Sequence, residues 1–111
     1  MAKQSAAALD RMFSALSDPT RRKIVERLAR GPATVSELAK PLPMSLPSVV
    51  QHLQVLEESG IVISFKKGRV RTCRIEPKQL SAAQEWLEGQ RRIWEARFDR
   101  LDAIVMEMDD E

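Results

Sequence analysis

Hydroxyl and amide side chains are concentrated between residues 45 and 56, a stretch that contains no Asp or Glu. If the stretch is a helix with Leu53 directed to the core, a step of 100° per residue turns Gln51 away from the core. Serine hydroxyls near a helix N-terminus reach phosphates, glutamine pairs bidentately with adenine, and apolar side chains meet thymine methyls. The stretch therefore predicts a nucleic-acid contact surface. Its candidate residues are Ser45, Leu46, Pro47, Ser48, Val50, Gln51, His52 and Gln54.

Basic side chains are concentrated a little further along, between residues 66 and 74. Neutralisation of phosphate is the direct interpretation of such a cluster. An edge strand that is protected from aggregation by Lys and Arg would have the same composition, so the cluster alone leaves both interpretations open. The candidates for phosphate contact are Lys66, Lys67, Arg69 and Arg71.

Charge is distributed unevenly along the 111 residues. Residues 1–78 contain 14 Lys and Arg against 7 Asp and Glu, whereas residues 79–111 contain 4 against 9. Such an asymmetry indicates a polyanionic partner for the basic part, although a solvated surface with uneven charge would look similar.

Composition excludes several classes of protein. The length predicts one domain, residues 1–111. A single cysteine, Cys73, and a single histidine, His52, exclude a zinc site built chiefly from Cys and His of one subunit. No nucleophile–base arrangement or glycine-rich phosphate loop is recognisable, so we expect no enzyme, no metal and no cofactor. No apolar run is long enough to span a bilayer and no signal-peptide core precedes Asp10, which predicts a cytoplasmic protein with no membrane partner.

Four helices are predicted in the first half of the chain. Apolar spacing of three and four indicates a first helix over residues 3–16, and Asp18 followed by proline starts a second helix at Pro19. Thr34 and Glu37 have the spacing of a capping box, which starts a short third helix. Ser45 caps the fourth, and residues 34–59 then form a helix-turn-helix.

The second half predicts a β-hairpin and a long helix. β-Branched runs flank Gly68 within residues 61–75, and Ser81 with Gln84 offers a second capping box for a helix over residues 81–108. At 1.5 Å per residue this helix spans ~42 Å, more than the width of such a domain, so we expect its apolar stripe to meet a second subunit together with the first helix. The predicted dimer interface consists of Leu9, Phe13, Leu87, Trp94, Phe98, Leu101 and Val105.

This order of elements, α-α-α-α-β-β-α, predicts a mainly α winged helix-turn-helix with a β-hairpin, in a homodimer. Such motifs place the recognition helix, here residues 45–59, in the DNA major groove, and the wing, here residues 61–75, on the flanking backbone or minor groove. The alternative function is a winged-helix module that binds another protein.

Three motifs resemble the ArsR (ArsR/SmtB-type) family of bacterial transcriptional repressors, and they occur in the same order. They are Ala15-Leu16-Ser17-Asp18-Pro19-Thr20-Arg21-Arg22, Ser45-x-Pro47-Ser48-Val49-x-Gln51-His52-Leu53 with its continuation to Val62, and Lys67-Gly68-Arg69-x-Arg71. The resemblance covers about residues 8–105. It implies a dimeric repressor that binds a palindromic operator in double-stranded DNA, with an interface made by the first and last helices.

The chain departs from this family pattern in two respects. The third helix lacks the Cys-x-Cys motif of metal-sensing members and the last helix lacks histidine, so the sequence does not identify an effector. Leu46 and Val50 also stand where the family often has Gln or Ser, which predicts an unusual operator. We interpret His52 as a DNA-facing or helix-supporting residue, and the arginines near Cys73 as a setting that would lower its thiol pKa.

Overall fold

The protein is described here by a computed structural model that covers residues 5–109. Its elements agree in type with the predicted mainly α fold that includes an antiparallel hairpin. The first helix begins at Ala6 with Ser5 as its N-cap, and Lys3 and Gln4 of the predicted range lie outside the described residues. The elements are α1 (Ala6–Leu16), α2 (Pro19–Leu28), β1 (Ala33–Thr34), α3 (Val35–Ala39), α4 (Leu46–Glu58), β2 (Val62–Lys67), β3 (Val70–Ile75) and α5 (Pro77–Asp109).

The corner between α1 and α2 is fixed by a capping carboxylate and a proline. The side chain of Asp18 accepts a hydrogen bond of 3.0 Å from the Arg21 N–H, and Pro19 occupies the first helical position, where a missing N–H costs nothing. Met12 and Ala15 are the buried residues of α1, whereas Phe13 is only half-buried. The helix thus has two neighbouring apolar faces, and spacing alone does not tell which of them enters the core.

A third strand joins the predicted two-stranded hairpin. β1 pairs with β3 antiparallel, Ala33 opposite Cys73 and Thr34 opposite Thr72, so the sheet has the order β1-β3-β2. Two residues are too few to show an alternating pattern, which is why the sequence did not indicate this strand. Thr34 also begins the predicted capping box, in which its hydroxyl accepts from the Glu37 N–H at 3.1 Å.

α4 begins and ends as predicted, with Ser45 as its N-cap and Ser59 as its C-cap. Val49, Leu53 and Leu56 are its buried residues, so the opposite side of its N-terminal half is left exposed. Gly60 follows with φ of +81°, a conformation that glycine adopts without strain and that turns the chain from the helix into β2.

The composition of the wing predicts strands over residues 61–65 and 70–75 with residues 66–69 as the loop; the second strand is confirmed, whereas the first is shifted and extended to Lys67 and the turn is tighter. Lys66 and Lys67 belong to β2, which leaves Gly68 at φ +63° and Arg69 to form the turn. Because pairing sets Ser64 opposite Cys73 and Lys66 opposite Arg71, these four side chains share one face of the hairpin. That face is buried at Cys73 and exposed at Lys66 and Arg71, so it leads from the core to a charged tip.

The last helix begins earlier than the predicted Ser81. Pro77 is its first residue rather than the end of the hairpin, and the side chain of Glu76 accepts a hydrogen bond of 3.3 Å from the Lys78 N–H. Proline at the first position is pre-organised for a helix, and this start leaves Ser81 and Gln84 inside the helix, where they form no cap.

The chain divides into two compact units, one up to Leu80 and the other from Ser81 onward. The largest fully buried side chains all belong to the first unit. They are Met12, Ile24, Val49, Leu56, Ile61, Val62 and Cys73.

In the described part of the chain, no helix is both long and apolar enough to cross a membrane.

Candidate nucleic-acid interface

The N-terminal half of α4 presents most of the predicted contact residues to solvent. Val49 and Leu53 anchor this half in the core, so the residues between them on the helix surface point outward. Ser48 and His52 are only half-buried rather than exposed. The exposed members of the predicted set are Ser45, Leu46, Pro47, Val50, Gln51 and Gln54.

Two serines organise the start of the helix. The Ser45 hydroxyl accepts a hydrogen bond of 3.3 Å from the Ser48 N–H, and the two hydroxyl oxygens lie 2.9 Å apart. Pro47 has no N–H and the Ser48 N–H is already bonded, so the serine hydroxyls and the positive end of the helix dipole are what this end of the helix offers to a phosphate.

His52 is held by the corner between α1 and α2. Its Nδ1 lies 3.2 Å from Nη1 of Arg21 and 3.8 Å from Oδ2 of Asp18. Arginine is only a donor, so a hydrogen bond between these two nitrogens has Nδ1 as its acceptor. Of the two roles predicted for His52, the helix-supporting one therefore has structural partners.

Arg21 is fixed within this corner by bonds to the end of α1. Its Nε donates to the Ala15 carbonyl at 2.7 Å and its Nη2 to the Ser14 carbonyl at 3.2 Å, so it satisfies the last carbonyls of α1. The N–H bond from Arg21 lowers the pKa of the Asp18 carboxyl, an effect that partial desolvation opposes. The family motif in this region thus builds a structural corner that supports α4.

Three of the four predicted wing cations are exposed and have no ion pair with any described residue. These three are Lys66, Lys67 and Arg69. Their charge is therefore available to a polyanion. Because Arg69 lies in the turn and the two lysines end β2, the free charge is concentrated at the tip of the wing.

Arg71 differs, because it is bonded to α4. Its Nε donates to Ser64 Oγ at 2.9 Å and its Nη2 to Glu57 Oε1 at 3.4 Å, while the Ser64 hydroxyl donates to the same Glu57 oxygen. We call this set the wing tether. Sequence reasoning missed Glu57 and Ser64, since seven to fourteen residues separate the partners and no local pattern joins them.

A groove of about 440 Å³ lies between the N-terminal half of α4, the start of α3 and the wing. Its apolar lining comes from Val35, Leu46, Val50 and Val70, and its cationic lining comes from Lys66, Arg69 and Arg71. No Asp or Glu lines it. The sequence identified the α4 and basic wing residues, but Val35 and Val70 join them only through the fold.

The residues predicted for a dimer interface differ in exposure. Leu9 and Phe13 of α1 are half-buried. On α5, the rings of Trp94 and Phe98 are tilted with centroids 6.3 Å apart, and Trp94 is 64% exposed. The remaining predicted residues of α5, Leu87, Leu101 and Val105, are likewise more than half exposed.

Cys73 contradicts the expectation of a lowered thiol pKa. Burial raises the pKa of this thiol, the Glu57 carboxylate raises it further, and Arg71 only partly opposes them. The thiolate is therefore disfavoured. Among the described residues, no group of three His, Cys, Asp or Glu side chains is placed to hold a metal ion.

Known proteins resemble the chain in both sequence and fold. A model of the helix-turn-helix domain matches residues 16–64. The chain is 46% identical over 85 residues to the HTH-type transcriptional regulator Rv2034 of Mycobacterium tuberculosis. The matched region covers 77% of each of the two chains.

Solved structures extend the likeness beyond the helix-turn-helix. The crystal structure of the ArsR family transcriptional regulator RHA00566 matches with a TM-score of 0.80 and 51% identity, covering 85% of this chain and 97% of that one. The homodimeric winged helix-turn-helix DNA-binding domain of Mb0332 from Mycobacterium bovis matches with a TM-score of 0.62 and 26% identity. This match covers 84% of this chain and 94% of that one. Rv2034 and RHA00566 are transcriptional regulators rather than enzymes, and the chain belongs to the ArsR family of winged helix-turn-helix DNA-binding transcriptional regulators.

Proposed function

We propose that the protein is a homodimeric repressor that binds a palindromic operator, with α4 in the major groove and the wing on the flanking backbone or minor groove. The observation that carries the proposal is the exposed surface on the acid-free N-terminal half of α4 beside the wing cations Lys66 and Arg69, neither of which has an ion pair among the described residues. A helix of this kind reads base edges, and cations on a neighbouring hairpin neutralise phosphate.

The side chains divide into readers and phosphate contacts. Gln51 and Gln54 expose amides that pair with the N6 and N7 atoms of adenine, and Ser45 with Ser48 meets backbone phosphate at the helix N-terminus. The three unpaired wing cations contact phosphate without reading sequence. We assign Arg71 to the wing tether rather than to a phosphate, because its guanidinium already has two protein partners.

The dimer follows from the exposed stripe of α5. Leu87, Trp94, Leu101 and Met108 recur at seven-residue intervals, and each is more than half exposed. Water disfavours such a stripe, and a seven-residue apolar repeat fits against a second helix. The related Mb0332 domain is homodimeric, which supports the same assembly here. Leu9 and Phe13 of α1 complete the proposed interface.

Two-fold symmetry then determines the form of the operator. Two copies of α4 related by a dyad recognise two inverted half-sites whose centres are about one helical turn, ~34 Å, apart. When the dimer occupies such a site near a promoter, it excludes RNA polymerase. This exclusion would produce the repression that the family resemblance implies. As a DNA-binding repressor, the protein would act in the cytoplasm, where the DNA is. No effector is assigned to it.

Selection of bound sequences from random duplex DNA by the purified protein tests this function. We expect enrichment of a palindrome with half-sites about ten base pairs apart, and an affinity that falls steeply with salt through counterion release. Light scattering on the free protein and on the complex should give two chains per molecule.

A negative result would also be informative. If the protein is folded and dimeric but enriches no sequence, and binds DNA only as weakly as any basic protein does, the proposal is wrong. The alternative interpretation, a winged helix that binds another protein, would then take its place.

A further inference from the structure

The apolar side of the groove between α4 and the wing has no role yet in the proposed function. Leu46 and Val50 are one helical turn apart and are 53% and 37% exposed, and Val70 faces the same groove from the wing at 51%. Isolated exposed apolar residues are normal on a protein surface. Here three of them line one groove at the end of α4 that faces DNA in this fold.

The charges around the groove restrict what can occupy it. Lys66 and Arg69 line it together with the apolar side chains, neither cation has an ion pair within the described residues, and no carboxylate lines the groove. The occupant that fits is therefore a polyanion that also presents a small apolar group. Duplex DNA has this combination in its major groove, where the C5-methyl group of thymine projects beside the phosphate backbone.

Hydrogen-bonding capacity narrows the choice further. The side chains of Leu46 and Val50 neither donate nor accept hydrogen bonds, so they cannot pair with the polar edges of guanine, cytosine or adenine. Of the groups that base pairs display in the major groove, the thymine methyl is the one that gains from an apolar contact.

We propose that Leu46 and Val50 select thymine in each operator half-site by packing against its C5-methyl group. This inference rests on the proposed function, since it requires α4 to lie in the major groove.

Replacement of single thymines by deoxyuridine tests the proposal, because it removes only the methyl group and keeps base pairing unchanged. In the operator obtained by selection, we expect at least one thymine per half-site at which deoxyuridine weakens binding by about fourfold for each methyl lost, or about 0.8 kcal/mol at 1.4 kcal/mol per tenfold. In the variants Leu46→Ser and Val50→Ser, the same replacement should have no effect at the thymine that each residue contacts.

Phe65→Ser is the matched control. Phe65 is 52% exposed, close to the value for Leu46, but it is not among the residues that line the groove. This variant should keep the full sensitivity to deoxyuridine. Thermal unfolding checks that all three variants fold, which is expected because the substituted side chains are exposed.

The outcomes separate the two proposals. If an operator is selected but every thymine can be replaced without loss, or if the loss persists in both Leu46→Ser and Val50→Ser, the thymine proposal is overturned while the repressor stands. The groove would then be open to a small apolar molecule or to a protein partner. If no operator is selected, the repressor and the thymine proposal fail together.

Discussion

Gln51 is the residue of α4 that we expect to recognise a base by hydrogen bonding rather than by apolar contact. Its amide is exposed on the acid-free half of the helix and can pair bidentately with adenine. We expect Gln51→Ala to weaken operator binding by about 1–3 kcal/mol and to relax the sequence preference at one position of each half-site. Repeating the selection with the variant measures both effects. Gln84→Ala, an exposed glutamine of α5, is the control, and an unchanged profile for Gln51→Ala would remove this residue from the reading surface.

Arg69 is expected to act on any DNA sequence alike. It lies exposed in the turn of the wing and has no ion pair among the described residues, so its proposed partner is phosphate. Arg69→Ala should weaken specific and non-specific binding by similar factors and reduce the slope of log affinity against log salt by about 1. Arg92→Ala on α5 controls for the change in net charge. A changed base preference would instead make the wing a base reader.

At the scale of residues, the sequence predicts the position of a side chain better than it predicts the groups to which that side chain bonds. It identified the exposed amides of α4 and the basic wing from residue type and helical angle alone. It missed that Arg71 is tied to Glu57, that Arg21 satisfies carbonyls of α1, and that burial raises the pKa of the Cys73 thiol. These features depend on contacts between different elements, which the pattern within one element does not contain.

Gly60 is the element-scale feature with the clearest energetic consequence. Its φ of +81° is unfavourable for other residues, and an added Cβ would collide with the side chain of Gln79, whose amide donates to the Ser59 carbonyl. We expect Gly60→Ala to destabilise the fold by about 2–3 kcal/mol, because the strain adds to the loss of the Gln79 hydrogen bond when that flexible side chain is displaced. Gly68→Ala is the control, since its φ is +63° but nothing lies within 4 Å, and strain alone should cost about 1–2 kcal/mol. Urea unfolding measures the difference, and equal losses would show that the Gln79 contact yields freely.

The start of α2 makes stability depend on acid pH. The Arg21 N–H bond lowers the pKa of Asp18 in the folded chain, so the stabilisation is present in full above the ordinary aspartate value of about 4 and is lost as pH falls through the lower folded value. Asp18→Asn keeps a capping side chain but does not titrate. Its unfolding free energy should therefore fall less between about pH 5 and pH 2 than that of the unmodified protein. Asp10→Asn is the control, and a fall as steep as in the unmodified protein would contradict the capping role.

Elements were predictable wherever they carry a periodic pattern or a cap. The capping box at Thr34, the N-cap at Ser45 and the turn at Gly68 were all identified from side-chain chemistry. β1 was missed because two residues carry no period, and α5 was started too late because Ser81 and Gln84 match a capping box that the proline start at Pro77 makes unnecessary.

For the whole molecule, the decisive prediction concerns the stripe on α5. Replacing Trp94 and Leu101 by Gln should yield monomers that bind the operator at least tenfold more weakly, because one α4 reaches only one half-site. Sedimentation and binding to the full palindrome measure the two effects. Met106→Gln, which changes a residue 69% exposed but outside the seven-residue repeat, is the control. Dimers that persist in the double variant would place the interface elsewhere.

In the proposed homodimer, the exposed stripe of α5 would also link the lifetime of the protein to its amount. A helix of 33 residues whose apolar side chains face water is stabilised when a second copy covers them, so the melting temperature should rise with protein concentration. At low concentration the uncovered helix opens more often and becomes a substrate for proteases. A cell that makes little of this regulator would then also lose it faster, so that operator occupancy responds to synthesis rate more steeply than in direct proportion.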